Sequence, residues 1–444
     1  MNESLRGLAR FVREMHPVRL VALGYLSYAV IGWLLLALPI AHVAGRVSSL
    51  DALFTATSAL STTGLGTVST GNDFNWLGQL LILALIQIGG IGYMTFGSFV
   101  VLSRSGTLSQ RRRSVGSAVF SLPAEFRIDK FLRSVIVFTV VMETLGVLVL
   151  FYYFSALELP RPLWTAVFHS VSAFCTAGFS LYDDSFMAMR DHAGVNVTIG
   201  ILSYLGAIGF IVFVDVWRRI IGKVPSLTLT TRIILVTTTW VSVAGVALFY
   251  VAEPSIQDLP NANRLLAAIF QVMAAITTVG FNTVPIGALS QASLFLVIML
   301  MVIGASPSGT GGGLKTTTFT AAFGAIRSAL SGRTGTTFWG RAVPEERVRV
   351  AMASLCFYAV FLILGCYLLA LTESFPFEDL LFEAASALGT VGLSTGITAS
   401  LSPLGKLIVT GLMFVGRLGP LSFGMALFLP VGKPESRDRD DLVV

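Results

Sequence analysis

The chain has 444 residues, of which 54% are hydrophobic and only 12% charged. A soluble domain carries about 25% charged residues. That deficit, with a mean hydropathy of +0.80, leaves no room for a sizeable soluble domain and places the chain in the membrane class.

The first twenty residues, MNESLRGLARFVREMHPVRL, are polar and basic, so no cleavable signal peptide is expected. Apolar runs long enough to cross a bilayer follow at 18–41, 77–102, 132–154, 195–217, 233–252, 347–371 and 405–430. A further run starts at 290 and is interrupted after 303, so the reading is about eight spans of about 20 residues. The net charge of +6 is not a nucleic-acid footprint, because the charges follow the spans. With the N-terminus placed in the cytoplasm, Arg6, Arg10, Arg13 and Arg19, the loops 103–133 (with Arg111-Arg112-Arg113), 218–232 and 327–349, and the tail hold 23 of the 30 Lys and Arg. The opposite loops hold Arg46, Arg161, Arg190 and Arg264. This positive-inside pattern puts both termini in the cytoplasm. The opposite side carries Asp51, Asp73, Glu158, Asp183, Asp184, Glu253, Asp258, Glu378 and Asp379. That is either an acidic mouth that concentrates cations or a set of ordinary solvated loops. Cys175, Cys356 and Cys366 make no disulfide framework, and four scattered histidines make no metal-ligand spacing.

Four segments align on one glycine: FTATSALSTTG from Phe54, FHSVSAFCTAG from Phe168, FQVMAAITTVG from Phe270 and FEAASALGTVG from Phe382. Ala lies five residues before the glycine in each (Ala59, Ala173, Ala275, Ala387) and Thr two before it (Thr62, Thr176, Thr278, Thr390). The glycines, Gly64, Gly178, Gly280 and Gly392, are 114, 102 and 112 residues apart. An apolar-Gly pair recurs in the span after each: Ile88-Gly89, Leu205-Gly206, Ile303-Gly304 and Val415-Gly416. The expected architecture is an all-α polytopic membrane protein with four tandem helix–pore loop–helix units around one pseudo-fourfold pore. The units are 1–105, 106–222, 223–335 with a broken second span, and 336–444 with a short tail. In each, a helix of about ten residues starts near Leu50, Pro162, Asn261 or Pro376 and is too short to cross. It returns as extended backbone, which membrane depth allows only where that backbone is buried in protein or lines water.

Four such strips suit a ring of carbonyls that replaces a cation's hydration shell. Glycine gives the required backbone conformation, Thr62, Thr176, Thr278 and Thr390 add hydroxyls, and the middle residues Thr63, Ala177, Val279 and Val391 turn their side chains away. The plainer alternative is close helix packing by Gly and Thr.

The chain, from about 18 to 430, resembles the superfamily of potassium transporters that includes TrkH, KtrB and the plant HKT proteins. Its length and the absence of two extra N-terminal spans are more similar to KtrB. The resemblance implies that potassium binds at the strips ending in Gly64, Gly178, Gly280 and Gly392. In this superfamily serine at the first glycine accompanies sodium preference, so Gly64 implies potassium. Units one and two depart from the Thr-Val-Gly spelling, so the walls are not equivalent.

The stretch GASPSGTGGGLKTTT, 304–318, interrupts the third unit's second span. Leu314 between Gly313 and Lys315 breaks the phosphate-loop signature, which needs contiguous Gly-Lys-Ser/Thr. The resemblance implies a gate here, with Gly304, Gly309, Gly311, Gly312, Gly313 and Lys315, and with Arg417 projecting from the fourth unit as an electrostatic barrier. A mid-span charge is costly and faces the interior. Lys315 either adds positive charge to the gate or snorkels to the inner interface. Glu143 in the third apolar run is read as packing against a polar partner.

The functional expectation is potassium-selective uptake across a bacterial plasma membrane, by a protein that is not an enzyme. The alternatives are sodium-coupled symport or sodium permeation within the superfamily, and an unrelated inverted-repeat transporter. Sodium enters as an activator in the first of these. His169 and Cys175 have no counterparts that would make an intramembrane enzyme. The resemblance also implies a homodimer and a cytosolic KtrA-like ring that carries the nucleotide, while the basic loops equally suit anionic lipid.

Overall fold

The computed structural model describes residues 17–43, 47–92 and 128–428. Arg6, Arg10, Arg13, Arg46, the run Arg111-Arg112-Arg113, the ends of the apolar runs at 77–102 and 405–430, and the basic tail lie outside the described residues. One order of elements recurs four times. The first unit has α1 (Pro17–Leu36), α2 (Ser49–Ser61) and α3 (Trp76–Ile91). The second has α4 (Ile128–Ala156), α5 (Pro162–Phe174), α6 (Ala193–Ile208) and α7 (Phe210–Ile220). The third has α8 (Leu229–Ala252), α9 (Asn261–Ile276), α10 (Gln291–Ile303) and α11 (Thr316–Leu330). The fourth has α12 (Glu345–Thr372), α13 (Phe377–Gly389), α14 (Pro403–Leu418) and α15 (Pro420–Phe428). A small hairpin, β1 (Thr337–Phe338) with β2 (Arg341–Ala342), joins the third to the fourth.

The short helices start where side chains or prolines replace the missing backbone partners of a helix N-terminus. Ser48 Oγ accepts the Asp51 N–H at 3.1 Å and donates to its carboxylate, capping α2. Pro162 opens α5, where the lost N–H is an orphan in any case. At 13 to 16 residues these helices are slightly longer than the sequence pattern indicates. At 1.5 Å per residue they still fall short of a hydrocarbon core of about 30 Å.

The long first helices and the returning helices are tied at the same end. Glu253, after α8, accepts the Ser290 N–H and hydroxyl at 3.0 and 3.1 Å. Glu373, after α12, accepts the Ser402 N–H and hydroxyl in the same way. Ser290 and Ser402 are themselves the caps of α10 and α14.

Four helices, α1, α4, α8 and α12, are each long and apolar enough to cross a membrane among the described residues, or five spans if α6 and α7 are taken as one. The other runs of the eight-span reading are shorter or interrupted helices among the described residues. The broken span expected only in the third unit is a feature of others as well. The helix stops at Gly92, Gly209, Gly304 and Gly419, all at positive φ, a conformation that glycine adopts without a Cβ penalty. At Gly209 the α6–α7 pair bends by 91°. Helix resumes at once at Phe210 and Pro420, but in the third unit only at Thr316. The non-helical insertion is therefore 304–315, and Thr316, Thr317 and Thr318 form the first turn of α11.

Three residues before the break, Gly89, Gly206 and Gly416 lie against the carbonyls of Leu60, Phe174 and Leu388, so close that a Cβ would come within 3.0 Å. The third unit has Met301 at that place, and Gly304 matches the break glycines rather than Gly416. The sequence alignment of Gly304 is thus one helical turn off.

The units close into a ring. Each returning helix packs on the next unit's short helix: α3 on α5, α6 on α9, α10 on α13, and α14 back on α2. Phe54, Phe168, Phe270 and Phe382 are all buried in the apolar clusters between these layers.

Candidate functional site

The four short helices end in one backbone motif. The N–H of Thr62, Thr176, Thr278 and Thr390 donates to the carbonyl of the repeat alanine, Ala59, Ala173, Ala275 or Ala387, at 3.1 to 3.3 Å. The next N–H, of Thr63, Ala177, Val279 or Val391, reaches one residue further back, to Ser58, Ser172, Ala274 or Ser386, at 2.8 to 3.1 Å. This is the Schellman closure, which needs its penultimate residue in the left-handed region and usually takes glycine there. Here that residue is threonine, at φ of 53°, 50°, 57° and 49°. A non-glycine residue in that region costs roughly 1–3 kcal/mol and persists where the surroundings over-determine it.

The four strips meet on one another. A Cβ on Gly64 would strike the carbonyl oxygen of Ala177, one on Gly178 that of Val279, one on Gly280 that of Val391, and one on Gly392 that of Thr63. Each glycine thus abuts the next unit's middle carbonyl, and the set closes on itself. The middle side chains pack backward instead: Ala177, Val279 and Val391 belong to the apolar core.

The insertion 304–315 lies directly under this ring. Thr310 accepts from the Thr62 hydroxyl at 3.2 Å through its carbonyl, and its hydroxyl is 3.1 Å from that of Thr176. Gly311 is packed against the Thr278 hydroxyl. The Gly312 N–H donates to Thr390 Oγ1 at 3.0 Å. Three consecutive residues of the insertion therefore touch all four threonines. The segment docks on the second unit: the Ser306 and Thr310 N–H groups donate to Ala207 and Gly206, and the Thr310 hydroxyl to Phe174. The Gly206 and Ala207 carbonyls are free because α6 stops at Gly209, and that of Phe174 because α5 ends there. Gly309 and Gly313 are pressed against the backbone at Ala207 and Gly389, where a side chain has no room.

Both cations reach this insertion. Arg417, from α14, donates to Thr62 Oγ1 at 2.9 Å and also to the carbonyls of Thr310 and Gly89. Lys315 donates from Nζ to the carbonyls of Gly311 and Gly312 at 2.7 and 3.1 Å, so it faces inward and not toward an interface. Glu143 sits behind the ring, accepting from Gln87 at 3.1 Å with the Cys175 thiol at 3.7 Å.

Two participants escape a reading of the sequence. Thr310 is one of several hydroxyls in the glycine-rich stretch, and its place between Gly309 and Gly311 is the signal for it. Ser58, Ser172 and Ser386 strap the strips through their hydroxyls, to Leu65 O and Gly64 N–H, to Phe179 O, and to Gly392 N–H. Serine six residues before the glycine in three of the four copies was the available signal.

Four short helices whose strips meet in a closed ring, with Arg417 and Lys315 bonded to the insertion beside it, sit in a helical chain with several apolar helices of membrane-crossing length, which places it in the class of helical membrane proteins. The chain belongs to the TrkH family of cation transport proteins, whose family model matches residues 33–436. It is 35% identical to the Ktr system potassium uptake protein B of Vibrio alginolyticus, over 93% of this chain and 91% of that protein. It is 31% identical to the potassium/sodium uptake protein NtpJ of Enterococcus hirae, over 96% of each. The fold is similar to the crystal structure of the potassium transporter TrkH from Vibrio parahaemolyticus, with a TM-score of 0.71 at 19% identity, over 93% of this chain and 85% of that one.

Proposed function

We propose that the protein carries out potassium-selective uptake across a bacterial plasma membrane, with both termini in the cytoplasm. Potassium is the substrate and sheds water against the strips ending in Gly64, Gly178, Gly280 and Gly392. The observation that carries this reading is the closed set of carbonyl–glycine contacts, because backbone oxygens converging from four sides can replace a hydration shell. The segment 304–315 with Lys315 and Arg417 is the gate. The membrane potential supplies the driving force, about 2.3 kcal/mol per charge per 100 mV, and no chemical turnover is needed. The working unit in this proposal is a homodimer with a cytosolic nucleotide-binding partner on the basic loops.

A second reading, sodium permeation or sodium-coupled uptake, is favoured by the name of the Enterococcus hirae relative. The test is growth of a bacterium lacking potassium uptake, at low potassium, carrying the wild type or Gly280→Ser with a regulatory partner co-expressed. Rescue by the wild type and a loss of potassium preference in the variant are expected. Failure of the wild type sinks the uptake reading, and an unchanged preference in Gly280→Ser sinks the filter.

A further inference from the structure

The residue after each repeat phenylalanine is polar and buried in all four units: Thr55, His169, Gln271 and Glu383 are at most 2% exposed. In the second and fourth units it reaches across to the strip beyond the glycine. His169 Nδ1 faces the Thr165 carbonyl at 2.8 Å. A carbonyl only accepts, so Nδ1 carries the proton and Nε2 is left as the acceptor. Nε2 lies 3.0 Å from Ser180 Oγ and receives the Leu181 N–H at 3.4 Å. In the fourth unit, Glu383 accepts from Ser394 Oγ at 2.9 Å and from the Thr398 hydroxyl. Ser180 and Ser394 are both two residues past their glycine. Both also accept an N–H from two residues further on, Tyr182 and Gly396, at 3.0 Å.

The other two units lack the link. Their residues at that place are Gly66 and Asn282. Among the described residues, Thr55 Oγ1 and both polar atoms of Gln271 have no hydrogen-bond partner. The order of contact around the ring runs first, second, third, fourth, so the two tethered walls stand diagonally opposite each other.

We infer that His169 and Glu383 are positioning residues of the potassium site, each holding one wall of the ring through the serine beyond its glycine. This rests on the uptake reading above. The two walls so tethered set the spacing across the ring; the first and third are held by other bonds, Ser58 to Gly64 and Leu65, and Asn282 to Ser185 and Phe186. A side chain that only filled space would not need an acceptor aimed at the serine.

The test uses the full-length protein in a bacterium deprived of its own potassium uptake, normalised to its abundance in the membrane. Rubidium uptake is competed with potassium and with sodium, and the ratio of half-inhibiting concentrations is read. Ser180→Ala and Ser394→Ala each remove one oxygen, so they report even where His169 or Glu383 variants do not accumulate. Each should lower the preference for potassium by about threefold to tenfold, the size of one net hydrogen bond. His169→Phe combined with Ser180→Ala should do no more than the larger single change. Glu383→Gln, which keeps one acceptor oxygen, should fall between wild type and Glu383→Leu. Thr55→Val and Gln271→Leu should leave the preference unchanged. An unchanged ratio in both serine variants, with the wild type still selecting potassium, overturns the inference alone. Absence of potassium uptake by the wild type overturns the uptake reading first.

Discussion

Arg417 Nη1 donates to the hydroxyl of Thr62 at 2.9 Å, across 355 residues of chain. That bond joins the last returning helix to the first strip, at the place where Thr310 also reaches the same threonine. The arginine holds the insertion against the ring by also donating to the Thr310 carbonyl. Arg417→Ala removes its charge-assisted bond to the insertion, worth about 1.5–3 kcal/mol, and should raise the maximal rate of rubidium uptake by about tenfold or more, as the seated state of 304–315 loses population. Uptake kinetics in the wild type and variant at equal abundance decide it; an unchanged maximal rate removes Arg417 from the proposed gate.

Threonine in the left-handed region separates stability from function. Thr278 is the cleanest case, because its hydroxyl has no hydrogen-bond partner among the described residues while its φ is 57°. Thr278→Gly relieves backbone strain and should raise thermal stability by about 1 kcal/mol. It should lower ion preference at the same time, since the hydroxyl next to the proposed cation path is gone. Thr278→Val keeps the strain and loses only the hydroxyl, so it should lower preference without the gain in stability. A melting series in detergent with parallel competition assays checks both; a loss of stability in Thr278→Gly contradicts the strain argument.

What could be read from the residues alone was the part each segment makes with itself. Ala59, Thr62 and Gly64 are legible because helix closure is local and repeats in four copies. The starts of the short helices follow from Pro162, Asn261 and Pro376 for the same reason. The seat of 304–315 was not legible. It is made by Thr62 to Thr310 and by Phe174 to Thr310, contacts separated by 248 and 136 residues. Their geometry depends on helices stopping at Gly209 and Gly419. Those stops are not legible because glycine inside an apolar run reads equally as a packing contact, and Gly206 and Gly416, three residues earlier, are packing contacts.

That ambiguity is testable within α14. Gly416 is pressed on the Leu388 carbonyl, whereas nothing lies within 4 Å of a Cβ placed on Gly411. Gly416→Ala should therefore cost about 2–4 kcal/mol, because backbone on either side must move. Gly411→Ala should be neutral or stabilising by about 0.5–1 kcal/mol, from helix propensity alone. Equal melting temperatures for the two variants would remove the close-packing account.

The ring's closure between its last and first units carries a pH dependence. Asp51, in the first turn of α2, is 2.8 Å from Lys406, in the first turn of α14. Partial burial works against the Asp51 carboxylate, but hydrogen bonds from Lys406 and Ser48 outweigh it and hold the group below the usual carboxylate range. The folded value is depressed, so the contribution is fully present above the unfolded value of about 3.9 and is lost as pH falls through the folded one. Acidification from about pH 5 to 3 should therefore destabilise the wild type through this pair. Asp51→Asn should start less stable at neutral pH and lose less over the same interval. The two side chains keep only 16% and 14% of their surface exposed, so high salt should narrow the difference between the two curves only in part. Melting temperatures of both proteins across that pH range, at low and high ionic strength, test the argument. Parallel curves at low salt would mean that Asp51 and Lys406 do not hold the first unit against the fourth.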